Sequence, residues 1–150
     1  MLQEILTEEM IETDVECETW QETVKKAGGI LVNKGKVKED FIQKMIDTVM
    51  QFGPYVILMP KVAFFHGAPG NDVNELCLSL ITLKNEVRFK EFENQPIKCA
   101  FAFGAVDSEG HMNMLKEVAM LFQDEEFLKL ITENGSKNRI LQKICELKEE

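Results

Sequence analysis

The feature that most limits the fold is a change of hydrophobic period halfway along the chain. Four apolar runs, "YVILM" (55–59), "VAFF" (62–65), "LCLSLITL" (76–83) and "IKCAFAFGAV" (97–106), are continuous rather than spaced at three and four. They are too short for buried helices, rich in branched and aromatic residues, and bounded by Pro or by polar residues. Such runs read as strands covered on both faces. Val87 and Phe89, within "KNEVRFKEFENQP", add a short edge strand or hairpin arm. On both sides of this block the apolar residues return to helical spacing. The order implies an α/β protein, a three-layer sandwich with a mixed central β-sheet flanked by helices.

The helical flanks can be placed from their punctuation. A helix is expected from about Thr19 to Val32, with Trp20, Val24, Ala27 and Leu31 on one face, and the Gly28-Gly29 pair weakens it or ends it early. In "KVKEDFIQKMIDTVMQFG" the set Phe41, Ile42, Met45, Ile46, Val49 and Phe52 follows 3-4 spacing, and Gly53-Pro54 stops it. Three more helices close the chain. The first places Met112, Leu115, Val118, Ala119 and Phe122 on one face. The second, "DEEFLKLITENG", ends on Asn134-Gly135. The third starts at an N-cap Ser136 and buries Ile140, Ile144 and Leu147.

Charge and composition exclude several classes of function. Of 26 acids in 150 residues, eight lie within residues 1–22, which contain no Lys or Arg; the remainder is nearly neutral. The chain therefore reads as one domain over 1–150 with a solvated acidic leader at about 1–18. No basic stripe exists to neutralise a polyanion, so no nucleic-acid partner is expected. No run approaches the roughly 20 apolar residues of a membrane span, so direct membrane insertion is not expected. The acidic start is neither a secretory nor a transit peptide, and a cytoplasmic location is expected. Cys17, Cys77, Cys99 and Cys145 show neither C-x-x-C spacing nor disulfide density and are read as structural. No metal site and no cofactor is expected, because two histidines without a carboxylate at ligand spacing are too few.

Those two histidines sit at special places. His66 is the first polar residue after "VAFF", where a strand leaves the sheet, and Gly67 and Gly70 follow it. Glycine permits close approach and unusual dihedrals, and strand ends are where α/β folds build sites. His111 follows "CAFAFGAV" through "DSEGH". With Ser108 as N-cap, His111 falls in the first helical turn, where the helix dipole disfavours the imidazolium. A neutral ring beside free backbone N–H groups is suited to an anion. The residues thus suggest a nucleophile at 66 and an anion-holding donor at 111, or two ordinary polar residues near strand ends.

The stretch "GPYVILMPKVAFFHGAPGNDVNELCLSLITLKNEVRF", with the later "FAFGAVDSEGHMNMLKEVAMLF", resembles the enzyme IIA components of the bacterial sugar phosphotransferase system. The likeness is to the mannitol/fructose type, most of all its ascorbate branch, and it spans about residues 37–134. In such proteins a "P-x-(V/I)-A-x-x-H" stretch ends in the phosphorylated histidine. The resemblance implies that His66 accepts a phosphoryl group from the histidine-containing phosphocarrier protein. It then passes the group to a cysteine of a IIB protein or domain, for uptake of ascorbate or a related sugar. His111 would help to hold the phosphoryl oxygens. Many relatives carry Pro before this histidine and Arg two residues after it; here these positions hold Phe65 and Ala68. Lys61, the backbone at Gly67 and the helix start at Ser108 are then expected to bind phosphate, and Phe65 to pack in the core. A regulatory module that signals its phosphorylation state to a protein partner is the alternative, and a non-catalytic small-ligand binder a third.

Overall fold

A computed structural model describes residues 2–53 and 56–147, with side chains to residue 146. Its elements are α1 (Leu2–Ile5), a 3-10 turn (Glu8–Met10), β1 (Ile11–Val15), α2 (Trp20–Asn33), α3 (Asp40–Phe52), β2 (Ile57–Met59) and β3 (Lys61–His66). There follow β4 (Cys77–Phe89), β5 (Gln95–Gly104), α4 (Ser108–Leu121), α5 (Glu125–Thr132) and α6 (Lys137–Leu147). The five strands form one mixed sheet in the order β1-β4-β5-β3-β2. β1 runs parallel to β4 and β3 parallel to β5, while β4/β5 and β2/β3 are antiparallel. The expected α/β sandwich is what forms.

The continuous apolar runs behave as their pattern requires. β3, β4 and β5 are buried over Val62–Phe65, Cys77–Leu83 and Cys99–Gly104, with helices on both sides. Phe64, Phe65, Phe89, Phe101 and Phe103 are essentially sealed from water, and each such ring contributes roughly 2–3 kcal/mol relative to exposure. Ser79 is sealed too, and its hydroxyl donates to the Ala27 carbonyl of α2 at 2.7 Å, which removes the cost of a buried hydroxyl. Val87 and Phe89 belong to a hairpin: β4 runs unbroken to Phe89 and turns through Glu93 and Asn94, both at positive φ.

Three readings change. The acidic segment, described from residue 2 to 18, is built into the fold. Its acids stay at the surface, but Leu2, Leu6, Met10 and Ile11 are buried and Ile11–Val15 forms an edge strand. The strand was illegible because Glu12 and Asp14 interrupt it; they face water, and a register shift there bends the edge away from further pairing. The Gly28-Gly29 pair does not end α2. A Cβ at Gly28 would lie 3.0 Å from both Ile42 and Met45, so the missing side chain lets α2 and α3 touch. The inward stripe of α4 is Met114, Val118 and Leu121, continuing from His111 at the same spacing, whereas Met112 and Ala119 are exposed. Tyr55 and the Leu147 side chain, expected in the core, lie outside what is described.

Candidate active site

Pairing β3 with β5 in parallel brings the two histidines together. His66 stands opposite Phe103, so both strands end at the same edge of the sheet, and α4 begins just past the end of β5. Side chains alternate along a strand, so His66 shares its face with Phe64. Phe64 packs on Phe101 and Phe103 at centroid distances of 5.9 and 5.5 Å. His111 rests on Phe103 at 4.9 Å and meets His66 edge-on, centroids 5.7 Å apart and planes at 79°. Phe65 points the other way, fully buried, with Phe89 at 6.3 Å. It is a core residue, as expected.

Both rings are held below the usual imidazole pKa, in each case first by burial, with a further contribution at His66 from the neighbouring His111. At neutral pH the His66 ring is therefore uncharged, with a lone pair on one nitrogen. Nδ1 of His111 is shut off from solvent and has no hydrogen-bond partner among the described residues. A buried N–H without an acceptor is costly, so the proton belongs on Nε2, leaving that nitrogen as the donor. Beside His66 opens an apolar recess of roughly 260 Å³ lined by Thr48, Phe52, Gly53 and Val56. Phe52, Val106 and Met112, near the two histidines in the fold or the chain, are about half exposed. A ring with a free lone pair facing a ring with an N–H can bind a group on one and hold an oxygen of it on the other. Among the described residues no three His, Cys, Asp or Glu side chains group as a metal site.

Two of the three expected phosphate-binding residues, Lys61 and Ser108, take a different place. Lys61 starts β3, five residues before His66, which in an extended strand is about 16 Å away. Its ammonium pairs with Glu86 at 3.0 Å, so it is not brought to the site. Ser108 is not the N-cap: Asp107 is, its carboxylate accepting from the Gly110 N–H at 2.8 Å, and Ser108 is the first helical residue. His111 thus falls one position later, its own N–H bonded to the Asp107 carbonyl. Asp and Ser cap comparably well, so the residue types alone do not separate the two positions. Gly67 is beside His66, yet neither it nor Gly70 has positive φ. A Cβ at Gly67 would lie 3.1–3.2 Å from Lys44 and Phe41 of α3, so this glycine serves contact with a helix.

The loop 67–76 is fixed by residues the sequence reading passed over. Lys44 of α3 donates to the Ala68 carbonyl at 2.7 Å and pairs with Asp72 at 3.2 Å. The Asp72 carbonyl accepts from Lys38 N–H, Val73 bridges Val37, and the Asn74 side chain donates to the Gly35 carbonyl. A lysine on the polar side of an amphipathic helix carries no signal of its own; only the contact with the loop distinguishes it. Cys77 and Cys99 are buried, and burial pushes both thiols up, Cys77 to about 12, so neither is a nucleophile. Among the described residues no helix is long and apolar enough to cross a membrane.

Comparison with known proteins points the same way. The family described as "Phosphoenolpyruvate-dependent sugar phosphotransferase system, EIIA 2" matches residues 4–146. The ascorbate-specific PTS system EIIA component of Escherichia coli K12 is 37% identical over 117 residues, covering 77% of this chain and 76% of that protein. The solution structure of the mannitol-specific cryptic phosphotransferase enzyme IIA CmtB of E. coli superposes with a TM-score of 0.85 at 27% identity, over 95% and 97% of the chains. The fold is also that of the E. coli mannitol IIA protein solved in complex with phosphorylated IIB, with a TM-score of 0.81 and 22% identity over 93% and 96% of the chains.

Proposed function

We infer the function from family membership: the chain belongs to the EIIA 2 family of the phosphoenolpyruvate-dependent sugar phosphotransferase system, and it is a phosphotransferase whose phosphoryl group travels on a histidine. That histidine is His66. The observation that carries the assignment is the placement of a neutral imidazole at the open end of β3, faced by the ring of His111. The chain takes the phosphoryl group from the histidine-containing phosphocarrier protein and delivers it to a cysteine of a IIB protein, serving uptake of ascorbate or a related sugar. The likeness to an ascorbate-specific relative at 37% identity supports that substrate, and the IIB complex of the mannitol protein supports the acceptor.

The chemistry needs little beyond alignment. The lone pair of a neutral His66 nitrogen attacks phosphorus as the donor's N–P bond breaks in line, and the donor ring recovers its electron pair. In the second half an acceptor thiolate forms S–P as the His66 N–P bond breaks. Phosphoryl transfer is governed by positioning and charge stabilisation, so nothing in this sequence of bonds calls for a general base on the chain. The Nε2–H of His111 is the group suited to hold a phosphoryl oxygen.

The test is incorporation of phosphate from phosphoenolpyruvate in the presence of enzyme I and the phosphocarrier protein. An acid-labile, alkali-stable phosphohistidine is expected in the wild type and none in His66→Ala. Undiminished label in His66→Ala would refute the assignment. Faster transfer to an ascorbate-type IIB than to a mannitol-type IIB is expected, and the reverse order would overturn the substrate class.

A further inference from the structure

Phosphorylating His66 places nearly two negative charges at the mouth of the loop 67–76. The obvious sources of compensation are elsewhere. Lys61 is at the far end of β3, on Glu86. Arg88 is tied to Glu86 and the Asn94 carbonyl, and Arg139 to Glu126. Lys36 is paired with Glu75. The start of α4 already carries the Asp107 carboxylate on the Gly110 N–H. Lys44 differs from all of these. Its stem passes close against Gly67, the residue after His66, and its ammonium sits where Ala68, Gly70 and Asp72 converge.

We propose that Lys44 is the phosphoryl-binding cation of this site, exchanging Asp72 for the phosphoryl oxygens when His66 is phosphorylated. The inference rests on His66 being the phosphorylated residue. Three observations carry it. The side chain is about one-third exposed, so the ammonium is free to change partner without opening the core. Its attachment is to a partly exposed carboxylate and one carbonyl, both of which can be given up to a more highly charged anion. Finally, the ammonium lies 5.6 Å from the centre of the Phe41 ring, and the buried ring of Phe41 also touches the Gly67 position, so the stem is anchored beside the histidine whichever anion the head engages.

The consequence is electrostatic and can be read on the phosphoryl group itself. A neighbouring cation favours the dianion and lowers the second phosphoryl pKa. The 31P chemical shift of wild-type phosphoprotein, made with phosphoenolpyruvate, enzyme I and the phosphocarrier protein, is followed from pH 5.5 to 9. Lys44→Gln, which retains a donor for Ala68 but no charge, is expected to raise that pKa by about one pH unit. Lys44→Arg is expected to titrate like the wild type. Lys38→Gln, an exposed lysine whose backbone bonds the same loop, is expected to change nothing. Equal titration of Lys44→Gln and wild type overturns the proposal. If Lys44→Gln takes no phosphate while Lys44→Arg does so with the wild-type titration, charge at 44 is required and the proposal stands. If both fail, the residue serves folding alone and the proposal falls. A wild type without a phosphohistidine resonance defeats the reading of His66 instead, and so is told apart.

Discussion

The chain leaves two neighbouring parallel strands in opposite ways. After β3 it makes a long excursion over residues 67–76, pinned to α3 by Lys44 and to the α2–α3 connection by Asp72, Val73 and Asn74. After β5 it needs only residues 105–107 before α4 begins under the Asp107 cap. The histidine of the first exit belongs to the sheet and the second to a helix turn. The ring of His66 is thereby carried by the sheet, while loop and helix shape the space around it. A site built this way confines adjustment to its supports.

The largest effect expected from breaking the comparison is on the second exit. With His111 holding a phosphoryl oxygen as proposed, His111→Ala should slow phosphoryl transfer from His66 to IIB by about 10–100-fold, with His66 still labelled. Rapid-quench kinetics would check this, and an unchanged rate would remove His111 from the site. Next come the two glycines, one at each exit. Gly67→Ala forces a methyl against Lys44 and Phe41 and should cost about 1–2 kcal/mol of stability. Gly110→Ala meets only the end of the Asp107 side chain and Leu76, and helix propensity favours it, so it should stay within about 0.5 kcal/mol. Urea denaturation of both variants separates the two environments; equal losses would mean that the exits are equally packed.

The smallest effect concerns pH. Burial lowers both imidazole pKa values in the folded protein, so the unfolded chain binds more protons below its own value near 6.5. The histidine contribution to stability is intact above that value. It declines as pH falls through the depressed folded pKa values, then levels off. His66→Asn should flatten the part of this decline that belongs to the β3 exit. Urea midpoints between pH 7.5 and 5 test it, and parallel wild-type and variant curves would contradict it.

Much of this molecule was legible in its sequence because continuous apolar runs have few other uses. "VAFF", "LCLSLITL" and "CAFAFG" became buried strands, and the spacing in "FIQKMIDTVMQF" became α3. The residues Glu12 and Asp14 hid β1, since an edge strand needs only one apolar face and its polar positions imitate a loop. At the site, the histidines announced themselves by rarity and by position. Lys61 was misplaced because nearness in sequence was taken for nearness to the ring, whereas an extended strand carries a residue away at about 3.3 Å per step. Lys44 was missed for the opposite reason. Far from His66 along the chain, it reaches the loop only through the packing of α3 against β3, which no local pattern encodes.

The separation of His66 and His111 along the chain also sets a schedule during synthesis. At about 5–20 residues per second, His66 leaves the ribosome roughly 2–9 s before His111 follows it. Through that interval the His66 ring exists without the His111 ring, and for most of it without the complete β5 strand beside which it will lie. The two histidines therefore meet only once the hairpin of β4 and β5 has closed and β3 has paired with β5.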